Sequence, residues 1–139
     1  MISPLLIVEA ARAYRDVPYL HQGRSRAGLD CVGLLIKVGH DVGLIPASWD
    51  YTHYERAQWP WVMLKEVRRW FVERRDGPYP GDLIVIRPSP RLQHSLHVGI
   101  FTGSGVIHAS FLVQRVIEHR LTSEWVYRRR GLYGWLGAA

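Results

Sequence analysis

The sequence has a single cysteine, Cys31, among 139 residues, so no disulfide can close within the chain. Without a second cysteine there is no Cys-x-x-Cys pair, a spacing that structural zinc sites often use. No stretch approaches the ~20 consecutive apolar residues that a membrane-spanning helix needs. The opening segment, Met1 to Glu9, has no basic n-region, and Glu9 cuts its apolar run, so it does not read as a secretory signal. Internal repeats and low-complexity linkers are also missing. Gly23-Arg-Ser-Arg-Ala27 lacks the second glycine of a nucleophile elbow, and a serine-hydrolase reading fails there. The expectation is synthesis in the cytoplasm, with any action at the envelope depending on another carrier.

What is present suits one domain over residues 1–139, since single domains typically hold ~100–200 residues. Hydrophobic residues make up 47% and charged residues 22%, enough for a packed core without staples. The net charge is +6, which favours anionic partners such as nucleic acid, lipid headgroups or a cell wall. The basic residues cluster only at Arg68-Arg69, Arg74-Arg75 and Arg128-Arg129-Arg130, which read as solvated faces. No groove-reading motif accompanies them, so no specific nucleic-acid partner is expected. Six Trp and seven Tyr are many for this length and serve either packing or a binding groove.

Ser3-Pro4 is a helix start, with serine as N-cap and proline in the first turn. That helix should run to Tyr14 or Arg15 and stop before Pro18. The glycines and arginines of Tyr19 to Leu29 read as a loop. From Asp30 the apolar positions Cys31, Leu34, Leu35, Val38 and Val42 recur at helical spacing, with Asp30 as N-cap and Gly43 beyond the end. The sole cysteine thus falls in the first turn of a helix. Residues Leu44 to Pro60 are aromatic and irregular. A third helix is expected over Trp61 to Arg74, with Val62, Val67, Trp70 and Phe71 inward. Strands follow at Leu83–Arg87, His97–Thr102, Val106–Leu112, Arg115–His119 and Leu132–Leu136. Helices first and strands afterwards give an α+β fold, N-terminal helices packed on an antiparallel sheet.

A thiol attacks a carbonyl as thiolate, and a helix N-terminus lowers a thiol pKa. Backbone N–H groups near Cys31 can also form part of an oxyanion hole. The nucleophile needs a base, usually histidine. Two of the seven histidines, His97 and His108, lie in strands joined by Gly103-Ser104, a two-residue hairpin signal. If those residues are the loop, Thr102 pairs with Gly105 and His108 lies opposite Gly99. His97 is then the diagonal neighbour of His108 on one face, ~7–8 Å away at the backbone. A one-residue slip would separate them. The reading is a relay from Cys31 to His97, with His108 orienting His97; the alternative is two unrelated histidines on a partly exposed sheet. His40, His53 and His119 read as surface or loop residues, whereas His21 lies near the cleft and is a candidate substrate contact. His94, His97, His108 and Cys31 could instead supply four metal ligands. That use is not favoured, and no cofactor is expected.

The same residues resemble the NlpC/P60 family of cysteine peptidases. Pro18-Tyr19 with Gly23, then Gly28-Leu-Asp-Cys-Val-Gly-Leu34, looks like its signature. Pro80-Gly-Asp-Leu83, His97-Val-Gly-Ile100 and Val106-Ile-His-Ala109 follow in the family's order. The resemblance covers roughly Ile7 to Ser110 in pieces. It implies a papain-like α+β fold and cleavage of amide bonds in peptidoglycan stem peptides, commonly between D-γ-glutamate and the diamino acid. It also implies Cys31 as nucleophile, His97 as base and His108 as the polar third residue. By the same resemblance Tyr19 assists near the oxyanion and Asp30 shapes the substrate side. Val32 stands where serine is usual, and His21-Gln22 replaces an aromatic-Gly pair, altering the groove wall. The missing signal peptide and wall-binding repeats resemble the phage and gene-transfer-agent branch, which implies tail proteins as partners. Rival expectations are a structural tail component with little turnover, and an amidase or acyltransferase on another substrate.

Overall fold

The structure is a computed structural model, and it describes residues 1–54, 65–66, 68–88 and 96–139. Helix α1 spans Pro4–Arg12, capped by the Ser3 hydroxyl, which accepts from the Leu5 N–H at 3.3 Å. It ends earlier than the sequence suggests. The amides of Tyr14 and Arg15 turn back to the carbonyls of Ala11 and Arg12, and Asp16 takes a positive φ of 72°. Such i→i+3 bonds tighten a helix end into a turn.

The segment read as a loop holds a small hairpin, β1 (Arg24–Ser25) and β2 (Gly28–Leu29). Two-residue strands leave no period-2 signal in the sequence. Helix α2 follows as Cys31–Val42, with Asp30 as N-cap and Gly43 beyond its end in the left-handed region at φ 78°. Its inward positions Leu34, Leu35 and Val38 are buried, while Cys31 and Val42 are partly so.

The third helix expected over Trp61–Arg74 is seen only in part. Residues 65–66 and 68–70 are helical, and Val62 and Val67 lie outside the described residues. The C-terminal part of that expectation is corrected, because Phe71–Glu73 forms strand β3. The sheet captures it: Phe71 pairs with Trp135, and their rings lie 4.3 Å apart. Tertiary pairing here overrides helical periodicity.

Strands β4 (Leu83–Ile86), β5 (His97–Phe101), β6 (Gly105–Ser110) and β7 (Arg115–Arg120) come next, then the short helix α3 (Ser123–Tyr127) and β8 (Arg129–Trp135). Strand β6 stops two residues before the expected Leu112. The Ser110 hydroxyl accepts from Val113 N–H and its carbonyl from Gln114 N–H, turning Phe111 to Val113 outward. The six-stranded antiparallel sheet has the order β3-β8-β4-β5-β6-β7.

One sheet face carries Leu83, Val85, Val98, Ile100, Ile107, Ala109 and Val116 and packs against α1 and α2. The alternate residues Ile84, Ile86, Val106 and Leu132 face the other way and close a smaller core around Trp125 of α3. Side chains alternate along each strand, so one sheet supplies both cores.

Candidate active site

Cys31 is the first residue of α2, half-buried against the main core. The β5–β6 ladder pairs Ile100 with Ile107 and Phe101 with Val106, and Thr102 N–H donates to Gly105 O at 2.9 Å. That is the expected register, and continuing it sets Gly99 opposite His108. The backbone N–H groups of Val98, Val32 and Cys31 itself draw the thiol pKa down, as a helix start should. Burial and the adjacent Asp30 carboxylate act the other way and win, pushing the Cys31 thiol up to about 12. The expectation of a thiol lowered by its helix is therefore corrected: desolvation of the anion outweighs the amides. Thiol and His97 imidazole share no hydrogen bond among the described contacts; the thiol meets β5 through Val98, the residue after His97.

On β5 and β6 the two expected histidines do meet. His97 Nε2 lies 2.8 Å from His108 Nδ1, with the rings nearly perpendicular. Both are neutral at ordinary pH. Burial pulls His97 down to about 4, partly offset by Asp30, and burial beside His97 and His119 pulls His108 down to about 2. Gly99 makes room on this face. A Cβ there would come within 2.6 Å of Val106 and 2.9 Å of the Trp125 ring. Trp125 covers the imidazoles, its ring 4.8 Å from His108 and 5.8 Å from His97. Its helix is started by Thr122, whose hydroxyl accepts from Trp125 N–H.

Asp30 ties the cysteine helix to two loops. One oxygen accepts from Gly33 N–H at 2.7 Å, the N-cap bond, and from Arg24 Nη1 at 3.3 Å. The other accepts from Gln22 N–H at 2.7 Å and from the Tyr54 hydroxyl at 2.6 Å. Arg24 extends the knot through Asp50 at 2.8 Å, the Tyr51 carbonyl at 2.6 Å and the Tyr54 oxygen at 2.9 Å. The loop presses against α2 so closely that a Cβ on Gly33 would sit 2.1 Å from the Gly23 carbonyl oxygen. Asp30 itself is 2% exposed, and its contacts are to the chain.

The other expected residues are dispersed around this centre. Tyr19 is half-buried and meets Phe111 edge-on at 5.5 Å. His21 packs edge-on against Tyr54 at 5.6 Å, its Nδ1 3.9 Å from Asp30. Val32 is half-buried against the main core. His94 lies outside the described residues, and among those described no cluster of three or more His, Cys, Asp or Glu side chains could hold a metal ion. No helix among them is long and apolar enough to cross a membrane.

Sequence reasoning missed Arg24, Tyr54, Trp125 and His119. Only Trp125 carried a local signal, the cap-like Thr122 three residues ahead. His119, read as a surface or loop residue with no role, is half-buried on β7, and its Nε2 lies 2.8 Å from His108 Nε2. A cleft of about 610 Å³ opens by Gly81 and Thr102, at the far end of β4 and β5 from His97. It touches none of these residues, so the chemistry, not the size of the hollow, marks the site.

N-terminal helices against one antiparallel sheet, with the cysteine opening the second helix and imidazoles on neighbouring strands, define a papain-like α+β protein. The NlpC/P60 family model matches residues 16–131, and the chain belongs to the NlpC/P60 family. It superposes on an NlpC/P60 family protein from Bacillus cereus with a TM-score of 0.70 at 20% identity, covering 96% of this chain and 40% of that one. The NlpC/p60 domain of the peptidoglycan hydrolase SagA matches with a TM-score of 0.62 at 22% identity, over 94% of this chain and 97% of that domain. The peptidoglycan hydrolase RipB from Mycobacterium tuberculosis matches with a TM-score of 0.58 at 19% identity, over 94% and 62%. A comparison with curated proteins gives no match.

Proposed function

We propose that this chain is a cysteine peptidase that hydrolyses amide bonds of peptidoglycan stem peptides, between D-γ-glutamate and the diamino acid. The observation that carries the reading is the cysteine opening α2 beside β5, where His97 and His108 are joined ring to ring at 2.8 Å. Family membership and the two peptidoglycan hydrolases among the similar folds support the substrate class.

Burial raises the thiol and lowers the imidazole, which favours the neutral forms of both and gives His97 the role of a general base toward Cys31. His97 Nε2 is engaged by His108, which leaves Nδ1 to take the thiol proton. The sulfur bonds to the amide carbon as the proton leaves, and N–H groups around Cys31 hold the oxyanion. The C–N bond then breaks, and His97 returns the proton to the leaving amine. Water next attacks the thioester, giving a proton to His97; the C–S bond breaks, and the thiol regains its proton. Thiol–imidazole contacts that are long without ligand tighten when substrate excludes water.

The test is digestion of purified sacculi, with the released muropeptides read by mass spectrometry. Cys31→Ala should abolish release, and His97→Ala should lower the rate ~10²–10⁴-fold, the usual worth of a base. His108→Ala should cost less, since it orients rather than transfers. Undiminished release by Cys31→Ala removes the thiol from the reaction. The raised thiol pKa favours a second reading, a scaffold with little turnover, such as a tail component. A thiol-directed activity probe that fails to label Cys31 selectively would favour it.

A further inference from the structure

The hydrogen-bond chain through His97 and His108 does not end on β6. His119 of β7 pairs with Val106 of β6, so His119 is the diagonal neighbour of His108 on the same face. The step from β5 to β6 is repeated from β6 to β7: His108 Nε2 lies 2.8 Å from His119 Nε2, with the rings at 88°. His119 Nδ1 then lies 2.7 Å from the backbone carbonyl of Arg120. Trp125 lies against all three rings, 6.1 Å from His119 at the farthest.

The last bond sets the direction of the others. A carbonyl oxygen only accepts, so His119 Nδ1 must carry the hydrogen. In the neutral ring Nε2 is then bare and accepts, and His108 Nε2 must donate to it. His108 Nδ1 is bare in turn and accepts from His97 Nε2. His97 is left with its hydrogen on Nε2 and a lone pair on Nδ1. A neutral imidazole with the opposite tautomer would present an N–H at Nδ1 and could not act as a base there.

We propose that His119 is a positioning residue: with the Arg120 carbonyl as anchor, it polarises the three-imidazole chain so that His97 keeps its hydrogen on Nε2 and offers a bare Nδ1. This rests on the reading of His97 as the base. His119 touches neither thiol nor base and acts only through His108.

Long-range proton–nitrogen correlation spectra of the isotope-labelled full chain at neutral pH read each tautomer directly, with single His→Gln variants giving the assignments. The expected spectrum has His97 and His108 protonated on Nε2 and His119 on Nδ1. His119→Gln retains an acceptor and should keep both tautomers, with turnover within ~3-fold of wild type. His119→Lys can only donate, so it should move the hydrogens of His108 and His97 to Nδ1. Its kcat should then fall ~10²-fold or more, within the range for loss of a base, with KM little changed. A wild-type His97 protonated on Nδ1 overturns the proposal. So does unchanged tautomerism in a folded His119→Lys protein, or equal loss in the Gln and Lys variants. The spectra need no substrate: correct tautomers in a protein that releases nothing from sacculi would sink the peptidase reading and leave the imidazole chain standing.

Discussion

Replacing Asp30 with asparagine separates a helix cap from a structural knot. Asparagine caps a helix about as well as aspartate, so a residue that only capped α2 would lose a few tenths of a kcal/mol. Asp30 does more: besides Gly33 it accepts from Gln22 N–H, the Tyr54 hydroxyl and Arg24, at 2% exposure. The amide of Asp30→Asn can accept through one oxygen only. Its NH₂ must face the two donors at 2.7 and 2.6 Å, and Arg24 loses part of its counter-charge. Hydrogen bonds to a charged acceptor contribute about 1.5–3 kcal/mol each, so losing two should cost about 3–6 kcal/mol. That is a large share of the ~5–15 kcal/mol that holds a typical domain together. With a urea slope of about 1–3 kcal/mol per molar, the midpoint should fall by about 2 M. The thiol supplies a second readout of opposite sign. The Asp30 charge helps to hold the Cys31 pKa up, so the variant's thiolate absorbance should appear at lower pH than in wild type. A loss below about 1 kcal/mol with an unmoved thiol titration would refute the knot and leave a simple cap.

Gly99→Ala should be destabilised by about 1–3 kcal/mol, the usual cost of overpacking, because its methyl meets Val106, Trp125 and the Ile107 carbonyl. Thermal melts give the loss, and an unchanged tryptophan near-ultraviolet signal would show that Trp125 does not fill that space. Acid should also weaken the fold. Burial holds His97 at about 4 and His108 at about 2, below the ordinary 6.5. Below ~6.5 the unfolded chain binds protons that the folded chain refuses, so stability is fully present above that pH and is lost as pH falls toward 4. By about pH 5 each imidazole should remove up to about 2 kcal/mol, and denaturant titrations that overlay at pH 7 and pH 5 would contradict it.

Much of the scaffold was legible because the signals were local. Ser3-Pro4 and Asp30 cap helices where a polar side chain meets bare amides, and Gly43 takes the left-handed conformation beyond α2. The Gly103-Ser104 turn set the β5–β6 register, and with it the meeting of His97 and His108, since strand side chains alternate with period 2. Errors fell where neighbours distant in sequence decide. Phe71–Glu73 left its helical pattern because Trp135, more than sixty residues later, offered a strand partner. Arg24 and Tyr54 looked like loop residues because nothing nearby in sequence reveals a shared carboxylate.

The sequence by itself determined that a thiol opens a helix and that two imidazoles share a strand face, because caps, turns and alternation act over a few residues. Only the tertiary structure decided how that thiol titrates, since burial and a neighbouring carboxylate outweigh the helix amides. It alone brought His119 and Trp125 to the same histidines. Those contacts depend on which strands become neighbours and how deeply they are covered, which no local pattern encodes.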